Sequence, residues 1–231
     1  MVPFLAMEWP FQWLAFFLGN WAFLEILEYL GSFSVLIAVI FYFSESGDRI
    51  KQKHYQAWQV INTAQGKGGS GGRLEALEEL NADKVPLIGV DVSRAFLMGV
   101  RLPHARLRRS DFSAADLRGS NFEAADFADS RLVSANFRGS TLRDASFQDA
   151  QLDDADFCDA DLSGVDLSQA SLARADLRRT DLKGIHWQDI ETLKGANIFG
   201  VKNPPQGFVA WALRKGAVQI ESDAEWAARS H

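Results

Sequence analysis

Residues 105–127 read ARLRRSDFSAADLRGSNFEAADF, and a bulky apolar residue returns in them every five places, at Leu107, Phe112, Leu117, Phe122 and Phe127. The beat begins at Leu87, passes Val92, Leu97 and Leu102, and runs on to Leu182 and Trp187, twenty-one positions without a slip. Two residues before each stands a small or β-branched one, as at Ala95, Ala105, Ser110, Ala115, Ser120 and Ala125. A period of five matches neither the 3.6 of a helix nor the 2.0 of a strand. It belongs to a repeat architecture, in which each unit buries its apolar side against the next.

Written in fives, the core reads ADLRG SNFEA ADFAD from Ala115 and RADLR RTDLK from Arg174. This resembles the pentapeptide-repeat family, whose pattern is A-[D/N]-L-x-x, and the resemblance covers residues 85–189. It implies an all-β solenoid, a right-handed quadrilateral β-helix of about five coils. One pentapeptide forms each side, four form a coil of twenty residues, and the central Leu or Phe points inward with the small residue two before it.

Granting that shape, the sequence supplies its own check. Three successive coils, starting at Leu107, Phe127 and Phe147, each carry two Phe and two Leu inside, while the flanking coils carry no Phe. Core volume is then nearly constant through the middle, as close packing demands. Phe127 is expected to stack over Phe147, and Phe137 over Phe157, near the 4.8 Å spacing of neighbouring β-chains. The small positions alternate Ala and Ser from Ala105 to Ala145, so Ser110 falls under Ser130 and Ser120 under Ser140, and each buried hydroxyl needs a backbone partner. A residue inserted into a coil is expected to shift every later side chain and destroy the columns.

The flanks divide by composition. No Lys or Arg precedes Arg49. Ile26–Phe43, ILEYLGSFSVLIAVIFYF, holds a single charge at Glu28 and as a helix rises about 27 Å, against the roughly 30 Å of a bilayer core. Residues 26–46 are therefore expected to be a transmembrane helix. Arg49, Lys51 and Lys53 follow, placing the repeat in the cytoplasm and the N-terminus outside by the positive-inside rule. Residues 1–25, with Trp9, Phe11, Trp13, Phe16 and Trp21, read as an interfacial aromatic segment. A second crossing there is disfavoured by Glu25 and Glu28, which share one helical face; this acid pair lies either in the membrane or at its outer interface.

Residues 47–65 read as a juxtamembrane helix with a stripe of Ile50, Tyr55, Trp58, Ile61 and Ala64. Residues 66–72, GKGGSGG, read as a linker, because the spacing of a phosphate-cradling loop is absent. Residues 73–84 read as an N-terminal cap helix whose Leu74, Leu77 and Leu80 cover the first coil. Residues 85–200 hold the β-helix, roughly 24 Å long. The beat falters at Glu191 and recovers at Leu193 and Ile198. Residues 201–231 read as a C-terminal cap helix and tail, with Phe208, Trp211 and Ala212 on the buried face.

No catalytic set, cofactor motif or metal-ligand spacing is visible. His54, His104, His186 and His231 lie far apart. The lone Cys158 follows an inward Phe, which makes it a surface residue, and its solitude suits a reducing compartment. A net charge of −6 argues against a nucleic-acid partner. The carboxylates of Asp111, Asp116, Asp126, Asp156, Asp161, Asp166, Asp176 and Asp181 occupy the repeat's own acidic slot and read as structural.

Charge is uneven along the rod. Arg94, Arg101, Arg106, Arg108 and Arg109 make the first coils basic, and a later run including Asp149, Asp153 and Asp154 is acidic. These residues, with Tyr55 and Trp58, are the candidate interaction residues. The expectation is a membrane-anchored, non-enzymatic scaffold whose partners are membrane lipid and an unidentified protein or a second copy, with neither nucleic acid nor a small-molecule substrate. An oligomeric channel or transport accessory built on the N-terminal helices is the alternative. A DNA mimic acting on DNA gyrase, a role the resemblance implies for some soluble members, is the second alternative. Interrupting arginines and the tether disfavour it.

Overall fold

The computed structural model describes residues 22–63 and 70–229, together with Gln12 and Phe16. They fall into two compact units, Met1–Lys53 and His54–His231. In the second unit, parallel bridges join residues twenty apart, from Asp91↔Asp111 through to Asp166↔His186. Four pentapeptides therefore make one coil, and residues 87–186 make five.

Each corner is a tight turn. Ser110 N–H donates to the Leu107 carbonyl at 3.3 Å, and Arg109 between them has φ 57°, the left-handed third position of a type II turn. The same sign of φ recurs at all twenty corners from Gly89 to Gly184, and fourteen of the twenty hold a residue other than Gly. Local preference opposes that conformation by about 1–2 kcal/mol for an L-residue. The coil imposes it, because the amide it turns outward completes the ladder: Arg109 N–H donates to the Ala128 carbonyl in the next coil at 3.0 Å.

The inward side chains form continuous columns. Phe127 and Phe147 stack with ring centroids 5.0 Å apart and planes at 7°, and Phe137 and Phe157 at 5.1 Å and 2°. All four are fully buried. Neighbouring columns meet edge to face, as with Phe122 and Phe127 at 5.2 Å, a geometry the aromatic quadrupole favours. The buried serines are satisfied along the rod. Ser130 Oγ donates to the Leu107 carbonyl at 2.7 Å and accepts from Ser110 N–H at 3.1 Å. Ser140 does the same between Leu117 and Ser120.

One residue too many is tolerated. Beyond Glu191 the bridges join residues twenty-one apart, at Ser171↔Thr192, Asp176↔Asn197 and Asp181↔Lys202. The expectation that an insertion destroys the columns is corrected here: the exposed Glu191 bends outward, and only the last partial coil has to follow it.

Helix α1 spans Ala22–Thr63 as one uninterrupted run of 42 residues, so the segments expected at 26–46 and 47–65 are continuous, as a juxtamembrane helix running on from the first segment requires. Tyr29, Leu30, Phe33, Val35, Leu36, Val39 and Ile40 are exposed along it. Among the described residues no helix is long and apolar enough to cross a membrane, and the expected span is thus without support from the structure. Expectations for most of residues 1–21, for the side chains of Glu25 and Glu28, for Ala64 and Gln65 at the end of the juxtamembrane helix, and for residues 66–69 of the linker lie outside the described residues.

Within the second unit, Ala57 and Ile61 from the end of α1 are buried and Trp58 partly so, beside the cap helix α2 (Arg73–Ala82). Ala76, Leu77 and Leu80 close the first coil, while Leu74 is only partly covered. The cap is tied down by Arg101 N–H to Glu78 at 2.8 Å, Asn81 Nδ2 to the Pro103 carbonyl at 3.0 Å, and His54 against Asp83 at 2.8 Å. At the other end α3 (Phe208–Arg214) buries Phe208 and Ala212, and Trp187 packs on Trp211 at 5.0 Å. The chain then rejoins the ladder at Val218 opposite Asn197, and α4 (Asp223–Arg229) ends the described residues.

Ala135 is fully buried at a corner of the third coil. Ala135→Leu overpacks that corner by three carbons and is expected to cost about 1–3 kcal/mol, read as a marked fall in Tm; an unchanged melt contradicts its inward position.

Candidate functional site

The acidic slot of the repeat has a backbone task. Asp111, Asp116, Asp126, Asp156, Asp161, Asp166, Asp176 and Asp181 each accept the N–H two residues on, at 2.9–3.3 Å. This is the Asx turn, a side chain standing in for a backbone carbonyl where the ladder leaves a donor over. The second carboxylate oxygen is left for side chains, as where Asp116 accepts from Arg118 and Asp181 from Asn203.

On the side lined inside by Leu97, Leu117, Phe137, Phe157 and Leu177, these acids form one column and the residues after the inward position form another. The first runs Phe96, Asp116, Asn136, Asp156, Asp176, joined by successive bridges. The second runs Met98, Arg118, Arg138, Cys158, Arg178. The two columns run side by side, setting acids against arginines: Arg118 pairs with Asp116 at 2.6 Å, Arg138 with Asp156 at 2.9 Å, and Arg178 with Asp176 at 2.7 Å. The guanidinium of Arg118 lowers the Asp116 pKa, and Asp156 raises that of Arg138.

The lower part of this face is a cleft of about 610 Å³. Arg138, Asp156, Asp176 and Arg178 line one wall, and Asp154 with Arg174, paired at 2.7 Å, the adjoining corner. Asp223 and Trp226 of α4 close one end. Arg178 is the most buried charge in it, with 2 % of its side chain exposed. Asp176 holds its Nε and Nη2, and its Nη1 donates to Asp223 at 2.6 Å and to the Glu221 carbonyl at 3.3 Å. Hydrogen bonding to Asp176 raises the Arg178 pKa, and Arg178 in turn lowers that of Asp223.

Cys158 corrects the sequence reading: it is fully buried, not on the surface. Its position does point out of the coil, but Arg179 roofs it, with Nη2 2.8 Å from Sγ, and Asp159 accepts from the thiol at 3.3 Å. Burial first, then the bond to Asp159, pushes its pKa up to about 11. Asp159 is held down at about 2, chiefly by Arg179. Donor atoms of Asp156, Cys158 and Asp176 lie within 4.8 Å of one another. Each is already engaged by a guanidinium or a neighbouring acid, the thiol is protonated, and the adjacent arginines oppose a cation.

The candidate interaction residues do not form one patch. Arg94 lines a hollow with Asp111 and Arg131, and Arg106 another with Lys84 and His104. Arg101 and Arg109 are exposed on different sides, and Arg108 pairs with Asp129 at 2.9 Å. Asp149 is exposed. Asp153 accepts from the backbone of Ala173 at 2.9 Å, and Asp154 belongs to the cleft. Tyr55 is exposed, whereas Trp58 packs against the body. Sequence reasoning missed Arg138, Arg174, Arg178 and the two α4 residues. A signal was present for Arg174, twenty residues after Asp154, whereas Arg138 and Arg178 meet acids 18 and 2 residues away.

Residues 87–119, 120–159 and 150–186 match the model of pentapeptide repeats, in 8 copies. Residues 87–186 of this chain thus match the pentapeptide-repeat family, whose members fold as right-handed quadrilateral β-helices. Among solved structures it is similar to HetL, a pentapeptide repeat protein involved in heterocyst differentiation regulation from the cyanobacterium Nostoc, at 29% identity and a TM-score of 0.26. That match covers 50% of this chain and 57% of HetL, so the chain spans little more than half the relative's length. A pentapeptide repeat protein of the Arabidopsis thaliana thylakoid lumen is 25% identical over 60% of this chain and 80% of its own, with a TM-score of 0.30. QnrB1, a plasmid-mediated fluoroquinolone resistance protein, is 15% identical over 62% and 82%, with a TM-score of 0.31. Comparison with curated proteins returns no match.

A thiol with its pKa at about 11 instead of 9.0 has a thiolate fraction about a hundredfold smaller at pH 8. Iodoacetamide at that pH is expected to label Cys158 only after the chain is unfolded in guanidinium. Native labelling at the rate of a free thiol contradicts the buried placement.

Proposed function

We propose that this chain is a non-enzymatic interaction scaffold held at a membrane, presenting its β-helix to a protein partner in the cytoplasm. The observation that carries the scaffold reading is the ion-pair ladder itself. A rigid coil carries charged side chains in register from coil to coil, many of them oriented by an Asx turn or by a partner one coil away. Such pre-organised polar groups give an interface specificity at low entropic cost. Pentapeptide-repeat proteins are generally structural or interaction proteins. Cys158 is protonated and roofed by Arg179, and Asp159, which accepts from its thiol, is held at about 2, too weak a base to take the proton.

Anchoring is supported by sequence and exposure. The stretch Ile26–Phe43 bears a single charge, Arg49, Lys51 and Lys53 follow it, and nine of its large apolar side chains stand exposed on α1. An apolar helix open to water on this scale calls for a covering, and a bilayer with the basic residues on its cytoplasmic side provides one.

Alkaline carbonate extraction of membranes from cells producing the full chain tests the anchor: the chain is expected to stay with the pellet, and release into the supernatant contradicts it. Cross-linking and capture of the same membranes tests the scaffold, which predicts a second protein in the adduct that is lost when Arg138 and Arg174 are both changed to Ala.

A further inference from the structure

The first coil departs from the repeat on one side. Where the coils below carry Asp116, Asn136, Asp156 and Asp176 it carries Phe96, and in the column of Arg118, Arg138, Cys158 and Arg178 it carries Met98. In those four coils the Asp or Asn accepts the N–H two residues on, at 2.9–3.3 Å. Phe96 has no oxygen to offer, so that turn is given up. Both apolar side chains stand in water, Phe96 57% and Met98 58% exposed. The coil gains nothing from either, and large apolar side chains exposed on one face mark a contact surface.

Charge says what covers them. The seven arginines of the repeat from Arg118 to Arg179 each lie within 3.6 Å of a carboxylate. Arg94, at the corner before Phe96, and Arg101, on the side after Met98, are exposed and have no carboxylate partner among the described residues. The nearby acids are engaged: Asp111 with Arg131 at 3.5 Å, Asp91 with Ser93 N–H at 2.9 Å, and Glu78 with the backbone N–H of Arg101 at 2.8 Å. Asp116, in the coil below, is paired with Arg118. Two free guanidinium groups thus bracket two exposed apolar side chains. That combination suits anionic lipid, with cations for the headgroups and an apolar wedge for the boundary beneath them.

We propose that the first coil is a peripheral membrane face, on which Arg94 and Arg101 bind anionic headgroups while Phe96 and Met98 enter the lipid boundary. This rests on the membrane reading and names the lipid and the part of the rod that meets it. An anchor on the same chain raises the effective concentration of that lipid, so a shallow, weak face suffices.

The test uses the full chain reconstituted into vesicles of phosphatidylcholine, alone or mixed with phosphatidylserine. Met98→Cys carries a polarity-sensitive thiol dye, and the roofed Cys158 does not compete under native conditions. The dye emission is expected to shift to the blue in the mixed vesicles only, and to return when salt is raised. Arg94→Ala together with Arg101→Ala is expected to abolish the shift. The same dye at Gln148→Cys, exposed three coils along, is expected not to respond. Equal emission in the two kinds of vesicle, a shift that survives the double substitution, or an equal shift at 148 overturns the proposal. Hydrogen exchange on the unaltered chain reads the same contact without a label. The Met98 amide, which has no acceptor among the described residues, should exchange more slowly in the mixed vesicles, and an unchanged rate counts against the face. A chain that stays off neutral vesicles while its dye still responds to anionic ones refutes the anchor and leaves this face standing.

Discussion

Everything in the second unit follows from one constraint: the ladder of parallel bridges requires each residue to find its equivalent twenty places on. The ladder, with the corner turns and Asx side chains taking the donors it leaves over, satisfies the backbone of the solenoid, because a single pentapeptide side offers too few hydrogen bonds to stand alone. The constraint forces φ positive at every corner, including corners occupied by Arg, Asp and His. It also fixes what can sit inside. A bulky residue on each side and a small one at each corner fill the square, and exchanging Phe for Leu between columns keeps its volume. The Ser and Ala alternation is the same constraint expressed in polar groups, since a hydroxyl at a corner is tolerable only where the neighbouring coil presents a carbonyl.

The outer surface inherits the period. Side chains twenty apart are neighbours across the ladder, so the charge pattern of the surface is written in strides that a linear reading does not emphasise. Asp154 with Arg174 and Asp159 with Arg179 are one stride apart. Pairs of this kind are individually weak at a solvated surface. Their consequence is orientation more than stability: long side chains that would sample many rotamers are held along the rod. Where two such pairs and α4 converge, a charge becomes buried, and Arg178 is the result.

The sequence read well wherever a position is dictated by its own neighbours five and twenty residues away. The stacked phenylalanines, the bonded serines, the α3 lid with Phe208 and the faltering at Glu191 were all legible. It read poorly wherever burial comes from the surface folding over itself. Cys158 points outward by the repeat rule and is nevertheless covered, because Arg179 leans across it to reach Asp159. Arg94 to Arg109 look like one basic cluster in the chain, yet the four-sided coil sends them to different sides. Helix α4 gives no periodic signal at all, since its place depends on Arg178, 45 residues earlier.

The stacking of successive coils is the claim on which these relations stand, and a double-mutant cycle measures it directly. Phe127→Leu and Phe147→Leu, singly and together, should show a coupling of about 0.5–1.5 kcal/mol in unfolding free energy, as expected for rings in contact. Phe112→Leu and Phe157→Leu, whose coils are separated by another, should be additive. Additivity at 127 and 147, or equal coupling in both pairs, would contradict the columns.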